Sequence, residues 1–336
     1  MMRKSILILA LVAASAAMAG DDPLVTGFAD ASYVYDANSG RGEFGLDQVE
    51  LDIVHQASDQ SLVRADLEWI KDGEDFVAQV EQAYMTYTAR CDWTLLFGKF
   101  NAPIGFEMLD APDMYQYSHS LVFDHGLPTN LTGLGVSREF SERFDVIGYV
   151  CNGWDANAEM GKNPSFGGRL GYAAPYGATA GLSLITGKDE LDDGSGLESF
   201  DRTVFDIDLG YETGDWVFGG EFNVGTVTRA NDLEDNWTAF LVMTHYALED
   251  WVGFTLRYDS FDDADGWAFD DPTDEVGAIP QRRSSLTLAP TFTLDDGFGA
   301  LVEFRLDMSD KDTFTDSDGE PTDSAFTMAF EMTYTW

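Results

Sequence analysis

The chain has 336 residues, with 19 Lys+Arg against 60 Asp+Glu for a formal charge of −41, and 44% of it is hydrophobic. A nucleic-acid partner needs a basic face to displace phosphate counterions, and so acidic a chain offers none. The apolar content excludes a disordered acidic tail, and two cysteines, Cys91 and Cys151, exclude a disulfide scaffold or a Cys-ligated cluster.

At the N-terminus Arg3 and Lys4 precede the apolar stretch Ile6 to Ala16, and Ala17-Met18-Ala19 supplies small residues for cleavage. Residues 1–19 therefore read as a cleavable secretory signal, because the apolar run is too short to span a bilayer as a helix. Residues 20–336 read as one domain. From there on the recurring unit is a segment in which apolar and polar side chains alternate, the period of a strand. Val49, Leu51 and Ile53 interleave with Gln48, Glu50 and Asp52; Val302, Phe304, Leu306 and Met308 interleave with Glu303, Arg305 and Asp307. Strands are predicted at 24–35, 44–54, 62–70, 76–88, 93–100, 131–140, 144–154, 166–174, 178–187, 201–212, 216–228, 237–248, 251–261, 282–294, 299–308 and 326–336.

Gaps after odd-numbered strands are long, and those after even-numbered strands are turn-like, as in Ser141-Glu142-Arg143 and Thr213-Gly214-Asp215. A soluble sandwich has no reason to segregate them. The pattern predicts an all-β fold: a transmembrane antiparallel up-and-down β-barrel of about sixteen strands, with about 14 to 18 compatible, short periplasmic turns and long extracellular loops. Tryptophans 69, 93, 154, 216, 237, 251 and 336 fall at strand ends, where aromatic girdles meet headgroups, although Trp237 and Trp251 have inward parity unless a bulge shifts them. The last strand places Phe330, Met332, Tyr334 and Trp336 on one face, similar to the C-terminal signal read by the outer-membrane barrel-assembly machinery.

The segments Glu81-Gln82-Ala83-Tyr84, Gly98 to Glu107, Asp110-Ala111-Pro112, Tyr117 to Leu121 and Asn152 to Asp155 resemble the OmpL-like β-barrel porins over residues 76–155. The resemblance implies the barrel fold and a pore, carries little about substrate and brings no catalytic residue with it; the chain as a whole reads as an outer-membrane porin for passive diffusion of small hydrophilic solutes, cation-preferring or weakly selective.

A barrel of this size leaves an aqueous channel, so the inward face is the functional surface. Parity places Glu50, Asp52, Arg64, Asp66, Glu68, Asp206, Asp208, Glu212, Glu221, Arg257, Asp259, Glu303, Arg305, Asp307 and Glu331 there, twelve acids against three arginines. Such a wall concentrates cations and repels anions. Residues 101–130 carry Pro103, Pro112, Pro128, Phe106 and Phe123, apolar enough to pack inside the barrel as a constriction loop whose Glu107, Asp110, Asp113 and Asp124 set the charge of the eyelet. Segments 188–201, 262–281 and 309–325 are dense in acid, including Asp270, Asp271, Asp274, Glu275 and Asp310, Asp312, Asp316, Asp318, Glu320, Asp323. Their spacing is not that of a helical calcium hand, and divalent bridging competes with a solvated acidic surface.

His55, His119, His125 and His245 are too scattered for a metal site, and Ser118 and Ser120 beside His119 do not make a triad. No cofactor is expected. Cys91 and Cys151 fall near opposite rims, too far apart for a disulfide. Expected partners are outer-membrane lipid, the assembly machinery and small solutes or cations; porins frequently form homotrimers, but no stretch specifies an interface. Two rival readings are a barrel displaying an acidic adhesin or ion-binding surface, and a secreted β-sandwich glycosidase. No carboxylate pair stands out for the latter.

Overall fold

The computed structural model describes residues 22–73, 75–158, 163–192, 197–229, 233–269 and 279–336. The predicted signal at 1–19 lies outside them. The barrel strands are β1 (Leu24–Asp36), β2 (Arg41–Ser58), β3 (Ser61–Asp72), β4 (Asp75–Thr88), β5 (Thr94–Asn101), β6 (Asn130–Ser141), β7 (Phe144–Cys151), β8 (Ser165–Ala173), β9 (Ala178–Asp192), β10 (Leu197–Thr213), β11 (Trp216–Thr228), β12 (Glu234–Glu249), β13 (Val252–Asp263), β14 (Gln281–Asp295), β15 (Phe298–Ser309) and β16 (Ser324–Thr335). Each pairs antiparallel with its neighbours in sequence, and β1 pairs with β16 to close the barrel. Closure removes every edge, which lets strands cross a bilayer with all backbone groups bonded.

The seam is tight. Gly27 and Trp336 exchange backbone hydrogen bonds of 3.3 and 3.0 Å, and a Cβ on Gly27 would strike the Glu50 carbonyl and the Trp336 ring. Outward positions form an apolar wall: Val63, Met85, Phe97, Leu170, Leu209, Val242 and Phe254 are all exposed, as are Phe330, Met332, Tyr334 and Trp336. Their inward neighbours are buried, among them Asp66, Asp206, Arg257 and Glu331. This is the period-two pattern turned inside out relative to a soluble protein.

Several elements depart from the sequence reading. Strands β9 and β10 continue outward through most of the acidic segment at 188–201, where Lys188–Asp201 (2.8 Å) and Asp189–Arg202 (3.2 Å) pair across them. Opposite charges on adjacent strands support pairing, so acidity alone did not mark a loop. Strands β2 and β4 likewise begin closer to the preceding strand than expected. Bulges appear at Asp47 and Glu81, each an extra residue between neighbours whose register partners are consecutive on the preceding strand. A shift between Ala247 and Glu249 precedes Trp251, which lies exposed. Trp237 is genuinely inward: it is 3% exposed, stacks on Phe261 and donates to Asn223 Oδ1 at 2.8 Å. Among the described residues the two cysteines form no disulfide; Cys91 is exposed and Cys151 buried.

At the long-loop end, acids largely cap their own backbone. Asp316 Oδ1 accepts from the Asp318 and Glu320 amides, both at 2.9 Å, closing a ribbon of Phe314–Thr315 with Pro321–Thr322. Asp310 accepts from the Arg282 amide, and Arg282 pairs with Asp262. Asp270, Asp271, Asp274 and Glu275 lie outside the described residues.

Candidate functional site

Residues 102–129 connect β5 to β6 and run into the barrel interior. Their stem is clamped where the Ala102 amide donates to Thr129 O (2.8 Å) and Asn130 Nδ2 to Asn101 Oδ1 (2.7 Å). Asp155 Oδ1 then accepts from the Thr129 and Asn130 amides, both at 2.8 Å. Gly105, at φ +87°, turns the chain inward. The Phe106 amide next donates to Glu221 Oε2 on β11 at 2.8 Å, and the Phe106 ring lies on Gly219, where a Cβ would overlap it.

The far attachment is to β13 and β15, across the lumen from the stem. Arg257, fully buried, donates to Glu107 Oε1 (2.7 Å), Asp259 Oδ1 (2.9 Å), Ser118 O (2.6 Å) and His119 O (3.0 Å). Glu303 Oε2 accepts the Tyr117 and Ser118 amides at 2.9 and 3.1 Å, Asp259 Oδ2 the Leu121 amide at 3.0 Å, and Arg305 donates to His119 O at 2.7 Å. A short helix, α1 (Leu121–Gly126), follows, capped by Ser120 Oγ accepting from the Phe123 amide. Its Leu121 and Val122, with Leu127, are buried in one apolar cluster with Leu241, Trp237 and Phe261 from the inward faces of β12 and β13. Leu241 and Phe261 break the polar-inward pattern because the loop covers them.

The predicted lumen residues are brought together, but not as a bare solvated wall. Arg64 bridges Asp52 (3.0 Å) and Asp66 (2.8 Å), and Arg305 pairs with Asp307 (2.9 Å). Arg-x-Asp recurs at Arg64-Asp66, Arg257-Asp259 and Arg305-Asp307; residues two apart on a strand share a face, so this signal of in-strand ion pairs was legible. Arg169 on β8 was missed: it binds Asp208 and, at 3.2 Å, Ser183 Oγ. Glu50, Glu68, Asp206, Glu221, Glu303 and Glu331 are buried, while Glu212 is exposed near the turn after β10. Within the loop, Glu107 is buried and paired, Asp110 is partly buried, and Asp113 and Asp124 are exposed. Ser118, His119 and Ser120 form no triad: His119 stacks on Phe123 at 3.9 Å and Ser120 caps the helix.

Burial alone would raise the Glu107 carboxyl, but Arg257, His119 and the Ser120 amide outweigh it and hold the group below the ordinary glutamate range. Burial against Phe261 and Phe269, aided by Arg283 and Arg305, pushes His125 down to about 4. A depressed carboxyl contributes stability that is present above its unfolded value and is lost as pH falls through the folded one. The part of the attachment carried by Glu107 is therefore expected to hold from neutral pH down to about 4.3, the ordinary glutamate value, whereas α1, which holds His125 in its neutral form, is expected to loosen as pH falls from about 6.5, the ordinary histidine value, toward about 4. Amide exchange of residues 117–123 measured at falling pH checks this; Glu107→Gln should flatten the dependence below about 4.3 and leave the step above it, which His125→Phe should remove.

Among curated proteins, none matches the chain in sequence. Its fold is shared by outer-membrane-expressed OmpT of Vibrio cholerae (13% identity, TM-score 0.68, 95% of this chain and 99% of that one). It is also shared by an anion-selective porin from Comamonas acidovorans (11%, 0.69, 94% and 99%) and by the channel DcaP of Acinetobacter baumannii (12%, 0.67, 95% and 99%). The model of the family described as "Putative beta-barrel porin-2, OmpL-like" matches residues 51–336. With a closed barrel, an apolar outer wall and a charged interior, the chain belongs to this family of OmpL-like porins and is an outer-membrane channel.

Proposed function

We propose that the channel passes small hydrophilic solutes by passive diffusion and prefers cations, with residues 101–130 as its constriction loop. The observation that carries this reading is the commitment of its positive charge. Arg64, Arg257 and Arg305, the three arginines read as facing the lumen, are each bound to carboxylates of their own. Arg169 is bound likewise. Acids remain in surplus by count, with twelve of them against three arginines among the residues read as facing the lumen. Asp113 and Asp124 are exposed on the loop itself. Fixed negative charge in a narrow, low-dielectric bore raises local cation concentration. Of the four loop acids, Glu107 contributes least to this field because Arg257 neutralises it. The Comamonas relative is named for anion selectivity; a shared barrel of low identity fixes the wall and not the sign of the charge within it.

A reversal potential across a potassium chloride gradient tests the reading: the expected sign is that of a cation-preferring pore, and anion preference would overturn it. The outward row Phe330, Met332, Tyr334 and Trp336 suits recognition by the assembly machinery, and residues 1–19 suit export. A homotrimer is supported by the trimeric form of OmpT among the structures of the same fold.

A further inference from the structure

Glu50 on β2 and Glu68 on β3 are direct register partners, an arrangement in which like charges destabilise the sheet. The bulge in β4 adds a third carboxylate, Glu81, between residues whose partners on β3 are consecutive. Ligand oxygens of all three lie within 4.8 Å of one another, and the residues are 1%, 7% and 2% exposed. Neighbouring amides serve only part of the cluster. Gln48 Nε2 donates to Glu50 Oε2 (3.1 Å) and Glu68 Oε2 (2.8 Å), and Gln79 Nε2 to Glu68 Oε1 (2.8 Å). Both oxygens of Glu81 and Oε1 of Glu50 accept no hydrogen bond. Of the neighbouring cations, Arg64 is held by Asp52 and Asp66, and Lys99, which acts electrostatically on Glu68, donates to Val80 O at 2.8 Å. Asp110 of the loop acts electrostatically on Glu50 and Glu81, and its buried Oδ1 also lacks a partner.

Buried carboxylates without donors are costly unless a positive charge joins them. The donor set is oxygen alone, which suits a hard cation. Calcium sits about 2.3–2.6 Å from each ligand, so its opposite ligand oxygens lie about 4.6–5.2 Å apart, and it tolerates irregular shells of six to eight oxygens. We propose that Glu50, Glu68 and Glu81 form a binding site for one divalent cation of the calcium class in the barrel wall, with Asp110 reaching it from the loop. The cation would tie β2, β3 and β4 to the loop at a point distant from Arg257. This inference stands apart from the selectivity reading, since it concerns a resident ion and is measured without current.

The test is isothermal titration of calcium chloride into the full-length protein in detergent, stripped with chelator and kept in monovalent salt that screens the acidic loops. The expected result is one saturable site per chain, weakened at least about tenfold in Glu81→Gln and unchanged in Asp316→Asn, which alters only an outer loop. Calcium should also raise the temperature of the heat-modifiable gel shift in the wild type and not in Glu81→Gln. Glutamine is isosteric and removes a like charge, so folding of that variant is not at risk. Absence of a saturable site in the wild type, as when protons alone neutralise the cluster, would overturn the proposal. So would equal affinity in Glu81→Gln, which would assign binding to the loops.

Discussion

Arg257→Met should release the far end of the loop at 102–129 while leaving the barrel closed, at a cost of about 3–5 kcal/mol to the attachment. The magnitude follows from what is left behind. Glu107 and Asp259, both buried, lose their cation, and the carbonyls of Ser118 and His119 lose their donor. Methionine keeps comparable volume and adds no charge, so the loss is electrostatic and not one of packing. Amide exchange at Tyr117, Ser118 and Leu121, whose N–H groups are bound to Glu303 and Asp259, is expected to accelerate roughly a hundredfold or more. Glu107→Gln should cost less, because Arg257 retains Asp259 and both carbonyls. If exchange in Arg257→Met stays at the wild-type rate, the buried Leu121, Val122 and Leu127 hold the loop by packing alone.

Deleting residues 108–124 should raise single-channel conductance at least about twofold, since a barrel of sixteen strands is too wide for wall side chains to fill. The deleted segment includes the turn Ala111–Asp113, the anchoring carbonyls and most of α1. It would also uncover part of the apolar surface of Leu241 and Phe261, so the open current is expected to be noisier as well as larger. Unchanged conductance would mean that the narrowest part of the bore lies elsewhere.

Strand positions and outward faces were legible because lipid demands an apolar row at every second residue, and Met85, Phe97 or Val242 answers to that demand wherever the rest of the chain goes. The inward face obeys no such local rule. Trp237, Leu241 and Phe261 are inward and apolar only because a loop more than a hundred residues earlier in sequence covers them, a contact that periodicity cannot register. The bulge at Glu81 was hidden for a related reason: one extra residue shifts parity without altering composition. The acids read as facing the lumen were picked out by strand parity alone. Their partners came less readily, since Arg257 meets Glu107 across 150 positions of sequence, whereas its pairing with Asp259 is two residues away and visible. The acidic segment at 188–201 misled because strands that project beyond the membrane are as polar as loops.

The claim that the loop acids dominate the field of the bore is tested most directly by the reversal potential across a potassium chloride gradient, recorded for wild type and for Asp113→Lys with Asp124→Lys. Both positions are exposed, and the attachment at Arg257, Glu303 and Arg305 stays intact in the double variant, which should therefore fold and conduct. The expected result is a cation-preferring potential in the wild type that falls toward zero or reverses in the variant. A wild-type anion preference, or a cation preference untouched by two charge reversals on the loop, would contradict it.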